Sequence, residues 1–423
     1  MVDHDGGDMT LDCLDRIIDS GTPAGTELEV VLVDNGSTRS VASLVAERWP
    51  EVDVRRSPTN KGFAGGNNLA LRDLDRIDFV ALVNNDVMVS DGWLEPLLAA
   101  LVDDESIAAA GPKLVFADRY RELELTADGT VAGRGDHRVV GVRWFGVAGD
   151  DGETRSGQLV EGFLGRQRTN TAEWFEWTAP KAVARFALHD VDGDRCWLRL
   201  GAGRPTTVTV RSGEYHEELV VDRGVGWYGV DLGGEPFDVI NNTGTVMLED
   251  GYGADRGFLE RDRGQYDRAE DVTAWCGGAV LLRTEYLRDV GLFDERLFLY
   301  YEDLELSLRG AKRGWRHRYE PQSVVRHRVG ATSVHGSPTT ERYKERNRLL
   351  VLVRHFPPRT ATAASLRFLL STASYARRDV LAPLLQGRRP DASIVVNRLR
   401  AFGEFLRLVP AMWRSRRLGS RQA

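Results

Sequence analysis

The sequence predicts an α/β protein with a mostly parallel central sheet, an inserted β-sandwich-like domain and a helical C-terminal tail. Three observations carry that prediction. Over the first 120 residues, short apolar runs end in Asp, Asn and Gly clusters and alternate with helical patterns, as βα units feeding a buried parallel sheet do. From Tyr120 to about Glu235 the pattern switches to short alternating segments (Ala182 to Leu188, Cys196 to Leu200, Thr206 to Arg211, Glu217 to Val221) separated by Gly, Asp and Pro turns. Beyond Pro358 a helical period studded with arginine begins. The expected layout is a domain in two halves, 1–119 and 237–358, an insert at 120–236 and a tail at 359–423.

A chain of 423 residues exceeds what one hydrophobic core usually serves, which fits that layout. Cys13, Cys196 and Cys276 are odd in number, far apart and in no metal-ligand spacing, so a reducing compartment is expected rather than a disulfide framework. No leader-like opening and no apolar run of roughly 18 residues is seen, and the expected location is cytoplasmic. The net charge of −7 hides an asymmetry: from Glu341 onward 18 Lys/Arg face 5 Asp/Glu, a local balance of +13 that leaves −20 on the rest. Because the tail's basic residues are interleaved with Leu, Phe, Val and Trp, the expected partner is an anionic membrane surface and not nucleic acid.

Taken in order, the chain passes from Met1-Val2-Asp3 straight through His4-Asp5-Gly6-Gly7 into a helical pattern of Leu11, Leu14, Ile17 and Ile18. A strand should precede such a turn, so most of a first strand is expected to be missing, through a start assigned too late or because the sheet does without it. Glu29 to Val33 is the first clear strand, and it ends in Asp34-Asn35-Gly36-Ser37. A carboxylate at a strand's carboxyl end suits a base N–H or a ribose hydroxyl; the alternative for Asp34 is to cap the next helix. After a short strand at Val52 to Arg55 comes Asn60-Lys61-Gly62-Phe63-Ala64-Gly65-Gly66-Asn67-Asn68, whose glycines permit close approach of a ligand. The amides opening a helix from about Asn67 favour an anionic or polar group. Lys61 faces phosphate or is simply solvated. The stretch is neither G-x-G-x-x-G nor a Walker loop, which argues against NAD and ATP.

Phe79 to Val83 reads as a fully buried strand that stops at Asn84-Asn85-Asp86. Asp86 there is a candidate oxygen ligand for Mg²⁺ or Mn²⁺, or one member of a turn cap. A helix from about Trp93 to Val102 and a strand from Ile107 to Gly111 follow. Far downstream, Asn241 to Asp267 reads as a long loop near the mouth of a site, and Glu302-Asp303 place two carboxylates at a helix N-terminus.

VVLVDNGS, NKGFAGGNN, LVNNDVMVSDGWLEPLL and AAAGPKL, then WCGGAVLLRTEYLRDVGLFDERLFLYYEDLELSLRGAKRGW, VVRH and YKERNRLLVLVRHFP, resemble in order and spacing the family-two glycosyltransferases, especially rhamnosyl- and galactofuranosyl-type enzymes. The resemblance covers roughly residues 1–113 and 237–358. It implies a GT-A-type nucleotide-sugar-binding fold and an inverting, metal-dependent transfer from a nucleotide-diphosphate sugar to a glycan or lipid-linked acceptor. Donor binding is then expected from Asp34, Asn35, Lys61, Gly62, Gly66, Asn67, Asn85 and Asp86. Metal binding falls to Asp86 with His327, and the acceptor side to Trp275, Gly277 and Gly278, with Trp275 a wall for the acceptor sugar or core. Asp303 is the expected base, ahead of Glu302. Two departures stand out: a single acid in Asn84-Asn85-Asp86, where many relatives have two, and a first strand leaving only Asp3 and His4 near the nucleobase.

The insert carries Trp144, Trp174, Trp177, Trp197 and Trp227, which either stack on sugar rings from an exposed face or form the core of the insert. The tail is expected to attach peripherally to an anionic bilayer on the inner face of the cell membrane, with packing or dimerisation as the competing explanation. Two rival functions remain: a nucleotidyltransferase, which would want a more basic phosphate loop, and a non-catalytic carbohydrate-binding protein derived from a transferase.

Overall fold

The computed structural model describes residues 1–133, 136–149, 154–155, 158–169, 173–188, 195–328 and 337–419. They form two compact units, one of Met1–Ala117, Ile240–Phe258 and Arg263–Ala423, the other of Asp118–Val239 and Leu259–Asp262. The first unit begins β1 (Val2–Asp3), α1 (Asp8–Asp19), β2 (Val31–Asn35), α2 (Ala42–Arg48), β3 (Asp53–Ser57), α3 (Gly62–Ala70), β4 (Phe79–Val83), β5 (Val87–Met88), α4 (Leu94–Asp103) and β6 (Ile107–Phe116). It resumes with α5 (Thr284–Val290), α6 (Glu302–Ala311), α7 (Pro338–His355), α8 (Pro358–Tyr375), α9 (Ala382–Leu385) and α10 (Ser393–Gly419).

The α/β class is as predicted, but the central sheet comes in two pieces. β1, β2 and β3 form a parallel sheet that sets Asp3 beside Asp34. β4 lies in a seven-stranded mixed sheet, antiparallel to Ala279–Arg283, which pairs β6, which in turn runs parallel to the long strand Arg316–His327. β1 has two residues and cannot carry a ladder on both edges. Side chains make the join instead: Asn85, just past β4, donates from Nδ2 to Asp3 Oδ1 at 3.1 Å and to Thr10 Oγ1 at 3.0 Å.

Apolar faces account for the packing. Leu14 of α1 and Val45 of α2 close over Leu32 of β2, with Trp49 at the edge. Ala64 of α3 and Leu71 just beyond its end pack with Leu82, Val280, Tyr286 and Trp275. The basic tail is not a separate element: Phe368 of α8 and Ala401, Phe405 and Met412 of α10 share one core with Leu297 and with Leu349, Leu350 and Leu352 of α7. Packing thus claims one face of these helices, while Leu366, Leu370, Leu385, Leu399 and Leu406 remain exposed.

In the second unit the strands expected at 182–188, 196–200, 206–211 and 217–221 are present, within one continuous nine-stranded antiparallel sheet. The long strand Trp174–Ala187 explains the continuity. Near its start it pairs with Arg143 and Trp144, and along its second half with Tyr120–Thr126, so what would be two stacked layers are hydrogen-bonded into one. The sheet encloses a single core of Leu123, Leu125, Trp144, Phe186, Leu198, Val210 and Val230. Trp144 is therefore core, whereas Trp174, Trp197 and Trp227 are exposed, with Arg166, Arg195 and Arg199 over their respective rings.

α6 and α7 are joined by a buried ion cluster. Glu305, fully buried, accepts from Arg309 Nε at 2.9 Å, pairs with Arg354 at 2.7 Å and meets His355 Nε2 at 2.9 Å. Burial opposes its charge, but Arg309, His355 and Arg354 together hold its carboxyl far below the usual range. Its stabilising effect is therefore complete above the unfolded value of about 4.3 and is lost only as pH falls through the much lower folded value. Glu305→Gln, which leaves the arginines short of a counter-charge, is expected to cost about 3–5 kcal/mol at pH 7 by denaturant titration. The gap to wild type should shrink only in strong acid.

Candidate active site

Most donor-side polar groups predicted from sequence are buried and already engaged. Asp3 Oδ1 accepts from Gly6 N at 3.0 Å and Thr10 Oγ1 at 2.6 Å, while His4 is exposed. Asp34 Oδ1 accepts from Ser37 N at 2.9 Å, and Oδ2 from Ser40 Oγ at 2.5 Å and Arg56 Nε at 3.1 Å. Burial works against its charge, yet the Ser40 and Ser37 hydrogen bonds, with Arg56, keep its carboxyl below the usual range. Asp34 thus closes the turn ahead of α2. Asn35 donates to Asn60 Oδ1 and Gly62 O and accepts from Lys61 N, which shapes the glycine-rich stretch from behind.

That stretch differs from expectation in where its helix starts. α3 begins at Gly62, not near Asn67, and Asn67 spends its amide on Phe63 O at 2.9 Å. Gly62 has φ +69°, and a Cβ there would stand 2.2 Å from Phe298 O. Gly62 N donates to Asn60 Oδ1 and Ala64 N to Phe298 O. Two opening amides are thereby committed within the protein, so the helix start is not the open anion cradle that the glycines suggest. Gly66 lets α3 approach Val2, whose Cγ1 would lie 2.7 Å from an added Cβ. Lys61 precedes the helix with its side chain partly exposed.

Trp275 is 1 % exposed and packs edge-on to Phe293. It is core and not a wall for a sugar, because the apolar shell of α3 and α5 closes over it. The next residues do form part of the site. Gly277 N donates to Asp303 Oδ2 at 3.0 Å, and Gly278 O accepts from Asn84 N at 2.9 Å. A Cβ on Gly278 would meet Leu114 at 2.9 Å and the His327 ring at 3.6 Å. One short strap therefore touches the base candidate on one side and the Asn84–Asp86 turn and His327 on the other. Cys276 senses all of this: burial, then the carboxylates of Asp255, Asp303 and Asp86, push its thiol well above the usual range.

His327 Nε2 lies 3.1 Å from Asp86 Oδ1, and Nδ1 lies 2.9 Å from Asn241 Oδ1. Sequence reasoning missed Asn241, which it took as the start of a long loop; the structure instead places it in a short strand, Ile240–Asn242, antiparallel to β6. With the ring proton on Nδ1 and donated to Asn241, the Nε2 lone pair faces a carboxylate oxygen. An imidazole oriented by an amide oxygen beside a carboxylate is a donor pair suited to a divalent cation. Among the described residues no group of three or more His, Cys, Asp or Glu side chains could hold a metal. A cation here would draw its remaining ligands from a phosphate-bearing substrate and water, as Mg²⁺ commonly does.

Glu302 and Asp303 open α6 after a strained turn: Phe298, Tyr300 and Tyr301 have φ of 65°, 69° and 72°. Left-handed backbone at bulky residues costs roughly 1–2 kcal/mol each, so the turn is imposed by its surroundings. Burial pushes the Asp303 carboxyl up, partly offset by the amides of Gly277 and Leu304. Glu302 is 5 % exposed with no partner for Oε2, and burial followed by the Asp303 charge raises it well above the usual range. The two neighbours thus differ in surroundings: Asp303 is partly exposed and accepts from two amides, whereas Glu302 is buried with one oxygen unpartnered.

The model of Glycosyl transferase family 2 matches residues 4–190 of the 423, the part of the chain that is similar to that family. A 60-residue stretch is 42 % identical to the N-acetylglucosaminyl-diphospho-decaprenol L-rhamnosyltransferase of Mycobacterium tuberculosis, in strains CDC 1551 / Oshkosh and ATCC 25618 / H37Rv. That match spans 14 % of this chain and only 20 % of the relative's length. Similar solved structures include GalNAc-T7 with UDP, GalNAc and Mn²⁺ (TM-score 0.43, 14 % identity, 84 % of this chain and 46 % of that one). The mannosyltransferase PcManGT of Pyrobaculum calidifontis with GDP-Man and Mn²⁺ gives TM-score 0.40, 12 % identity and coverage of 96 % and 85 %. S. aureus TarS 1–349 gives 0.39, 14 %, 97 % and 79 %.

Glu302→Gln tests the assignment of protons. A carboxyl whose folded value is raised costs stability once pH exceeds the unfolded value, so the variant should melt higher than wild type at pH 8. The advantage should vanish near pH 4, where both states bind the proton. A uniform loss across pH would refute it.

Proposed function

We propose that this chain is an inverting, divalent-cation-dependent glycosyltransferase that moves a sugar, rhamnose- or galactofuranose-like, from a nucleoside diphosphate to a hydroxyl of a glycan or lipid-linked acceptor. The observation that carries the reading is the Cys276-Gly277-Gly278 strap, which holds Asp303 by an amide and lies against His327, the neighbour of Asp86. The strap links the segments carrying Asp86 and Asp303, more than 200 residues apart in sequence, which supports reading them as parts of one site for in-line displacement.

Asp303, partly exposed and held by the Gly277 amide, takes the proton of the acceptor hydroxyl as that oxygen attacks the anomeric carbon. The bond from that carbon to the diphosphate breaks on the opposite face, inverting the centre. Mg²⁺ or Mn²⁺ held by Asp86 and His327 would neutralise the departing diphosphate. Burial and the neighbouring Asp303 charge both disfavour ionisation of Glu302 beside the base. Asp34, Asn35, Asn85 and the Lys61–Asn67 stretch act mainly by shaping the donor side, since their polar groups are largely used within the protein. The rhamnosyltransferase similarity suggests the sugar and a lipid-linked acceptor.

The tail supports membrane proximity. Exposed Leu366, Leu370, Leu385, Leu399 and Leu406 alternate with exposed Arg367, Arg377, Arg388, Arg389, Arg400 and Arg407. No helix among the described residues is long and apolar enough to cross a membrane. Apolar side chains set among arginines suit the boundary of an anionic bilayer.

Turnover should be sought with a panel of nucleoside-diphosphate sugars plus Mn²⁺. Asp303→Asn is expected to lower kcat by about 10³-fold while nucleoside-diphosphate binding stays within about twofold. Asp86→Ala should abolish the Mn²⁺ enhancement of that binding in a thermal-shift titration. Retention of activity within about tenfold by Asp303→Asn would sink the assignment of the base. Separately, Arg388→Glu/Arg389→Glu should cut cosedimentation with phosphatidylglycerol vesicles by at least about tenfold, with no effect on neutral vesicles.

A further inference from the structure

The turn that presents the base is gripped from behind by α7. Asn347, fully buried, aims Nδ2 at three carbonyls, those of Leu297 (2.8 Å), Leu299 (2.9 Å) and Tyr300 (2.7 Å). Its Oδ1 accepts from Arg346 Nε at 2.9 Å. The Arg346 guanidinium, itself buried, donates to Arg296 O at 3.1 Å and Leu297 O at 2.8 Å, and its remaining nitrogen reaches Glu404 of α10 at 3.2 Å. Tyr343, one turn earlier, stacks its ring on Phe298 at 5.1 Å. Between Arg296 and Tyr300, four carbonyls are therefore drawn toward one helix by two adjacent side chains.

Turning those carbonyls toward α7 accompanies the left-handed backbone of Phe298, Tyr300 and Tyr301, a conformation such residues do not adopt unaided. The same turn sets the start of α6, where Glu305 N bonds back to Tyr301 O at 2.9 Å. We infer that Asn347, backed by Arg346, is a positioning residue that holds this turn left-handed and so aims Asp303 at the Gly277 amide and the acceptor. The inference rests on the reading of Asp303 as base. Asn347 lies on the far side of the turn, bonded only to backbone there and to Arg346, and is not itself assigned any contact with substrate. Through Glu404 the tail helix takes part in this support, which gives the packed tail a role in the site as well as any at a membrane.

The test uses the full chain, with Asn347→Ala, the isosteric Asn347→Asp and the double variant Asn347→Ala/Tyr300→Gly. Hydrogen exchange of the 297–303 segment is read alongside kinetics, and binding of UDP, GDP and dTDP with Mn²⁺ serves as probe of the donor side. Loss of the amide donors should speed exchange there at least about tenfold and lower kcat about 100-fold, with KM for donor within about threefold. Water admitted to Asp303 should also shift the acid limb of the kcat profile to lower pH, a change that general loosening elsewhere would not produce. Glycine at 300 adopts the left-handed backbone without cost, so the double variant should regain at least about tenfold in kcat. Should Asn347→Ala not fold, Asn347→Asp is expected to show the same exchange and kinetic signs. Unchanged exchange at 297–303, or a loss shared by KM and not relieved by the glycine, overturns the proposal. If wild type turns over no donor, the reading of Asp303 falls, while exchange at 297–303 still decides whether Asn347 holds the turn.

Discussion

A backbone carbonyl sits where a side chain would otherwise be. Phe298 O occupies the space beside Gly62 that any Cβ would fill, and it accepts from Ala64 N. Asn68, further along α3, continues the seam by donating to Phe293 O at 2.9 Å and accepting from Phe293 N at 3.0 Å. These contacts bind segments about 230 residues apart, with the whole second unit intervening in sequence. If they loosened, the helix beside Asn35 and the turn before Asp303 would lose their common reference. Glycine at 62 is thus required by its φ of +69° and by the lack of room alike.

This also explains why the glycine-rich stretch misled in one respect. From sequence, glycines ahead of a helix point to a ligand cradle; here two of the three serve packing, Gly62 against Phe298 and Gly66 against Val2. Composition does not distinguish a backbone approaching a ligand from a backbone approaching another backbone. The strands, by contrast, were legible because burial imposes an apolar run ending at a polar cluster, as in Phe79 to Asp86. Asp86, Asp303, His327, Gly277 and Gly278 sit in distinctive local patterns, which is why the sequence singles them out as candidates. Trp275 sits in the same pattern, but which way a tryptophan faces depends on Phe293 and the α3 shell, which lie far away in sequence. Asn241 and Asn347 carried no local signal, since a single asparagine in a short strand or a helix interior does not stand out until its partners are known.

Three acids within four positions show how strongly surroundings decide a carboxyl's state. Glu302 is buried with no partner for one oxygen and is raised well above the usual range; Asp303 is raised by burial but bonded to two amides; Glu305 is fully buried and yet held far below the usual range by two arginines and a histidine. The helix dipole is shared by all three and cannot explain the differences. Partners do. Glu305 fixes α6 to α7 electrostatically, Glu302 is left buried, and of the first-turn acids Asp303 alone is partly exposed.

Rigidity at Asp303 is then built up in layers, each costly to dispense with. The left-handed turn stores unfavourable backbone energy, roughly 3–6 kcal/mol over three residues, against a typical net stability of about 5–15 kcal/mol. A chain retains such a feature only where neighbouring groups over-determine it, and Asn347, Arg346 and the stacked Tyr343 supply that constraint from a single helix. Because α7 is in turn covered by α8 and α10, the placement of one carboxylate depends on the hydrophobic core that includes Phe368, Phe405 and Met412. A helical tail read only as a membrane anchor would have no reason to contribute that core. Its inward face secures the turn while its outward arginines and leucines stay available to a surface, so one segment can meet both demands without compromise between them.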